Sequence, residues 1–186
     1  MKKYKKILIV THQYLPHVSP RTTRWKLLVD ELIANGHNVS ILTGMYPDFD
    51  TNNVEILYFG NKNNINIVSN LREKSKQVAS GDAIKKIFYG VLKKIYRFFI
   101  NYLAWPDYSM FWLYQIYKNR NKISKDYDVI ISVSLPFSSH MAAYFINKKV
   151  KKHWIMDIGD PFSLKVDAPE NNRFLYSGLN LSLIHI

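Results

Sequence analysis

Lys6-Ile-Leu-Ile-Val-Thr-His12-Gln-Tyr-Leu-Pro-His17-Val-Ser-Pro20-Arg21-Thr-Thr-Arg24-Trp25 is the stretch on which the reading of this chain turns. Its first six residues are an apolar run, short and nearly unbroken, as expected of a parallel strand buried on both faces. The loop from His12 to Ser19 follows. Pro20 to Asn35 then reads as a helix, with Ser19 as N-cap and Pro20 at the first helical position. Trp25, Leu28, Val29, Leu32 and Ile33 recur at helical spacing, and Gly36 is placed to end the helix in a left-handed conformation. Asn38 to Thr43 is a second strand. Strand, helix and strand in this order predict a right-handed crossover and the start of a parallel sheet. No G-x-G-x-x-G follows the first strand, so the dinucleotide fingerprint is absent. The turn offers His12, His17, Arg21 and Arg24 instead.

The same alternation continues down the chain. Val54–Gly60 and Tyr127–Ser134 read as strands, as does His153–Asp157, while Asp82–Leu103, Tyr108–Ile123 and Ser138–Lys148 read as helices. An Asn-rich polar segment, 61–81, holds a short helix near 68–78. The expected fold is therefore a doubly wound, Rossmann-like α/β domain with a parallel sheet, spanning 1–180, with an amphipathic helical insertion at about 82–123. In such a sheet, ligands gather beyond the carboxyl ends of the strands. The loops placed there, 11–19, 44–48, 132–139 and 157–163, are rich in His, Ser, Asp, Tyr and Pro, a set suited to a polyol.

Three groups of residues carry possible chemistry. Asp157 and Asp160 stand three apart at a strand end, where carboxylates can accept sugar-hydroxyl protons or act as a base. Asp160 before Pro161 equally suits a turn. Ser138 and His140 open a helix whose N-terminus and hydroxyls can hold a phosphate or sugar oxygen, with a capping or core role for His140 remaining open. His12, at the end of the first strand, is the leading histidine candidate. His37, after the capping glycine, reads as structural. No metal site is expected, since no zinc-ligand spacing is present, nor is there a G-x-S-x-G elbow or a G-x-x-x-x-G-K loop.

Composition adds a charge. Among 186 residues the formal net charge is +12, which asks for an acidic partner or surface, with plain solvated lysines as the alternative. Within 82–103, Lys85, Lys86, Lys93, Lys94 and Arg97 gather on one half of a helical wheel. Ile84, Ile87, Phe88, Val91, Leu92, Ile95, Phe98 and Phe99 occupy the other. That is the pattern of a helix lying in a membrane surface, and equally of a helix packed on a sheet with its basic face in water. The chain contains no cysteine, which excludes disulfides and thiolate metal sites. The basic start is followed by too short an apolar run for a signal sequence. A cytoplasmic protein is expected, peripheral on the inner face of the cell membrane if the basic helix binds lipid.

Three segments together resemble a known family. K-I-L-I-V-T-H-Q-Y-L-P, S-P-R-T-T-R-W and L-I-A-N-G-H-N-V-S-I-L-T-G match in order and spacing the opening of a GT-B glycosyltransferase of family 4. Trp154-Ile-Met-Asp157-Ile-Gly159-Asp160-Pro-Phe162 is similar to that family's "W-I-x-D-x-R-D-P-W", with Gly159 for Arg and Phe162 for Trp. Ser132-Val-Ser-Leu-Pro-Phe-Ser-Ser-His140 is similar to its "S-x-P-x-S-x-H" turn. At the first turn the family often carries Gly-Gly, where this chain has Val18-Ser19-Pro20, which leaves anion contacts to the Arg21 and Arg24 side chains. The resemblance implies the acceptor-side half of a retaining enzyme. A nucleotide-sugar would bind in a C-terminal donor domain, here absent, and pass its sugar to a lipid-linked or glycan acceptor in cell-surface polysaccharide synthesis. It implies no metal and no cofactor, only the nucleotide-sugar as substrate. Leu181-Ser-Leu-Ile-His-Ile186 matches the peptide translated from a transposon end used in sequencing libraries, which predicts a truncated, inactive fragment with a non-native tail. The alternative is a non-catalytic membrane-associated scaffold or binding domain of the same fold. Nucleic acid is not an expected partner, because the aromatic residues sit on apolar helix faces and not on an open sheet platform.

Overall fold

The computed structural model of the protein describes residues 4–44, 54–60, 83–99, 106–134 and 136–159. Five strands, β1 (Lys6–Val10), β2 (Asn38–Thr43), β3 (Glu55–Tyr58), β4 (Val129–Val133) and β5 (His153–Asp157), form one sheet in the order β3-β2-β1-β4-β5. Every pairing is parallel, with Ile9 on β1 in register with Ile41 on one side and Ile131 on the other. The helices are α1 (Pro20–Ala34), α2 (Ala83–Phe98), α3 (Met110–Asn119) and α4 (Ser138–Val150). The fold is thus α/β, doubly wound and Rossmann-like. Consecutive strands β1, β2 and β3 run outward in one direction, and β4 and β5 run outward in the other. The reversal falls between β1 and β4.

The central strand has to be apolar on both faces, and it is. Leu8 and Val10 face a core that includes Leu42, Ile130, Trp112 and Ile116 from α3, and Ala142, Ala143 and Ile146 from α4. Ile7 and Ile9 face the opposite core, with Trp25 and Val29 of α1, Tyr14, Val39 and Ile41. The three residues Leu8, Ile9 and Val10 are completely buried, and each contributes about 1.5–3 kcal/mol of transfer free energy. Because α1 lies on one face and α4 on the other, the loops leaving β1 and β4 diverge at the reversal and leave an opening at the carboxyl edge.

Both ends of α1 follow from local chemistry. The Ser19 hydroxyl accepts from the Thr22 backbone N–H at 3.2 Å, and the Thr22 hydroxyl accepts from the Ser19 N–H at 2.8 Å. This reciprocal box, with Pro20 at the first position, satisfies donors that a helix start leaves open. At the far end the Gly36 N–H donates to Ile33 and the His37 N–H to Leu32, a Schellman closure that requires the positive φ of 82° at Gly36. Ser19→Ala is expected to cost about 1 kcal/mol, seen as a lower urea midpoint with an unchanged slope. The His12–Ser19 loop itself is pinned by buried Tyr14 and passes through a cis Leu15–Pro16 peptide.

The chain divides into two compact units, one of 1–61 and 109–161, the other of 62–108 and 162–186. The expected insertion at 82–123 is therefore split. α3 belongs to the sheet unit, because Trp112, Leu113 and Ile116 are buried in its core, whereas α2 belongs to the second unit. Helix α2 is described over Ala83–Phe98, and residues 100–103 of the expected helix lie outside the described residues. The 68–78 helix, Asp160 and the 181–186 tail lie outside the described residues.

Candidate functional site

The carboxyl edge of the sheet is stitched together by serines. Leaving β1, the His12 backbone N–H donates to the Ser139 hydroxyl at 3.1 Å, and the His12 carbonyl accepts from Gly44 N–H and the Thr43 hydroxyl. The β1 and β4 exits are thereby tied to one another across the reversal point. Beyond β4, the Ser134 hydroxyl donates to the Asp157 carbonyl at 3.0 Å and accepts from the Gly159 N–H at 3.1 Å. The hydroxyls expected to face a ligand thus hold the loops in place, and Ser138 is completely buried.

At the end of β5, the Asp157 carboxylate accepts from the Arg24 guanidinium at 2.5 Å and from the Trp25 indole N–H at 2.7 Å, both through Oδ2. Arg24 and Asp157, expected separately as an anion ligand and a base, are brought together as an ion pair. The pair is half-exposed, so its own contribution to stability is small. Its effect is geometric: it fastens the start of α1 to the end of β5. Arg21, one turn earlier, makes no ion pair among the described residues. Its guanidinium lies beside Gly159, where a Cβ would come 3.6 Å from Nη2. Among the described residues, Arg21 is a cation at this edge with no carboxylate partner.

The two histidines are neutral at physiological pH. Burial pushes His12 down to about 4, with the charge of His17 adding in the same direction. Its ring meets Trp112 edge-on at 5.1 Å and is pressed against Gly44. His140 is a core residue, 1% exposed, and burial lowers it to about 4 against a small opposing pull from Asp157. The Trp154 indole N–H can only donate, and it donates to the Ser132 hydroxyl at 2.8 Å. That turns the Ser132 proton toward His140 Nδ1, 2.7 Å away, and places the imidazole proton on Nε2. A neutral His12 imidazole at the cleft can donate or accept one hydrogen bond with a hydroxyl; His140 holds the β4–α4 turn.

No protein-family model and no curated protein sequence matches this chain. The site is therefore argued from its own atoms. Of the expected set, His12 lies at the β1–β4 reversal with its N–H on Ser139, Ser138 and His140 are buried at the start of α4, and Arg21, Arg24 and Asp157 lie at the α1–β5 corner. Asp160 lies outside the described residues. Among the described residues no group of His, Asp and Glu could hold a metal ion. His37 accepts from the Lys5 N–H at 3.2 Å and braces the edge of the sheet. Ser134, Ser139, Trp25, Trp112 and Gly44 were not foreseen in these roles. The only signal for Trp25 was its place on the inner face of α1, which marks packing and says nothing of its indole N–H.

Proposed function

We propose that this chain is the acceptor-side domain of a GT-B-type retaining glycosyltransferase. A nucleotide-sugar bound by a further domain passes its sugar to a lipid-linked or glycan acceptor seated at the carboxyl edge of the sheet. What supports the reading is that one sheet edge carries both Arg21, which makes no ion pair among the described residues, and a neutral His12 whose loop is fixed at the reversal point. Arg21 supplies a charge-assisted contact for a phosphate or other anionic group of the acceptor. His12 supplies a hydrogen bond to a sugar hydroxyl. The Arg24–Asp157–Trp25 contact fixes the first turns of α1, which carry Arg21, against the end of β5, so Asp157 acts here as a positioning residue. The three sequence segments similar to family 4 enzymes support the same reading.

The test is transfer activity of the complete gene product with a panel of nucleotide-sugars and lipid-linked acceptors. Arg21→Ala is expected to raise the acceptor KM about tenfold or more, the equivalent of one lost charge-assisted bond, with kcat and stability little changed. Absence of transfer or hydrolysis from every nucleotide-sugar would overturn the enzyme reading. A second reading, a non-catalytic binding domain, is favoured by one observation: the Asp157 carboxylate and the edge serines are already engaged within the protein. Biological activity that survives His12→Ala would favour that reading over the first.

A further inference from the structure

Helix α2 presents an apolar stripe to solvent. Ile87, Phe88, Val91, Leu92, Ile95 and Phe98 are each between 36% and 67% exposed, and they recur at three- and four-residue intervals along 16 residues. Side chains of this size on one face of a helix are ordinarily the part that a protein buries, so this stripe calls for something outside the unit to cover it. Two properties of the same helix say what. Its sequence, Ala-Ile-Lys-Lys-Ile-Phe-Tyr-Gly-Val-Leu-Lys-Lys-Ile-Tyr-Arg-Phe, holds four lysines, one arginine and no acidic residue. Positions 86, 93 and 97 follow one another along the face opposite the stripe, and Lys94 is exposed. At about 1.5 Å per residue the helix is roughly 24 Å long, short of a bilayer's hydrocarbon core. No helix among the described residues is long and apolar enough to cross a membrane.

We propose that α2 is a membrane-surface helix, lying in the plane of an anionic lipid leaflet with its Ile/Phe/Val stripe among the acyl chains and its lysines at the headgroups. An apolar protein partner would cover the stripe equally well but would not engage the four lysines and one arginine that the helix sequence carries. A phosphate-rich leaflet supplies both halves at once. This surface is independent of the transfer reaction, and its test leaves that reaction aside.

The experiment is flotation of the full chain with vesicles of phosphatidylcholine alone and of phosphatidylcholine with phosphatidylglycerol. Binding is expected to the anionic vesicles and to weaken as salt is raised. Val91→Glu with Ile95→Glu places charge in the stripe at two already exposed positions, so the fold is kept, and binding is expected to fall at least tenfold. Lys93→Gln with Lys94→Gln is expected to lower binding to anionic vesicles about tenfold or more, at roughly fivefold per lysine. Gly90 lies in the middle of the helix, and a methyl group there would meet nothing within 4 Å. Gly90→Ala is therefore expected to strengthen vesicle binding by up to about fivefold through helix propensity alone. Equal binding to both vesicle types, or binding unaffected by the glutamates, would overturn the proposal. So would self-association that the glutamates abolish while lipid binding is absent, since that outcome assigns the stripe to a second copy of the chain.

Discussion

Lowering the pH from 7 to 4 is expected to destabilise the sheet unit by up to about 3 kcal/mol through His140 alone. The ring is fully buried, and burial holds its pKa near 4 against 6.5 in the unfolded chain. The sign follows from proton counting. Between about pH 6.5 and 4 the unfolded chain binds a proton that the folded ring refuses, so stability falls as pH falls through that window and levels off below it. Burial explains the refusal, since a charged ring would lose its hydration in the core. Ser132, which accepts from the Trp154 indole N–H and bonds Nδ1, suits the neutral ring. His12, also lowered to about 4 by burial, acts in the same direction. Urea unfolding at pH 7, 5.5 and 4.5 measures the slope. His140→Asn keeps a group able to bond Ser132 but cannot titrate; it is expected to be less stable at pH 7 and flatter across the window. An unchanged slope in that variant would assign the acid sensitivity to other groups.

How far the sequence discloses this molecule depends on whether a feature is local. The run Ile7–Val10 is legible because a strand buried on both faces needs unbroken apolar residues, and Ser19-Pro20 and Gly36 are legible because helix ends are settled within four residues. The boundaries of β1, β2, β5 and α1 fall within a residue of expectation for that reason. The split of the 82–123 segment was not legible. Both halves are amphipathic, and periodicity tells which face is apolar without telling whether anything covers it. The structure buries Trp112 and Ile116 of α3 and leaves Ile87 and Ile95 of α2 in solvent. The site divides in the same way. That His12, His140, Arg24 and Asp157 would gather at the carboxyl edge follows from strand order, a topological rule. That Arg24, and not Arg21, would pair with Asp157 depends on which turn of α1 faces β5, a contact between residues 133 apart in the chain. Nor could a reading of serine hydroxyls as ligand contacts foresee that Ser134 and Ser139 are needed to tie three loops together.

Gly44→Ala is expected to cost about 1–3 kcal/mol and to dislodge the His12 loop as it does so. A Cβ at this position would lie 2.6 Å from His12 Cδ2 and 2.8 Å from Trp112 Cδ1, closer than carbon atoms tolerate. Neither ring can yield cheaply. Trp112 is buried against the sheet on α3, and the backbone of His12 is held at both ends, by Ser139 at its N–H and by Gly44 and Thr43 at its carbonyl. The Gly44 N–H that bonds His12 belongs to the residue being enlarged, so relief of the clash by backbone movement lengthens the bond that fixes the loop. The substitution therefore reports on two levels together. Thermal unfolding is expected to shift downward by several degrees, on the order of 4 °C per kcal/mol for a unit of this size. Crystallography or the chemical shifts of His12 are expected to show the ring displaced from its edge-on contact with Trp112. Under the proposed acceptor-domain reading, acceptor KM is expected to rise even where the folded fraction is restored by working at low temperature. A variant with a lowered unfolding temperature and an unmoved His12 would show that Trp112 gives way, and that the glycine serves the core and not the site.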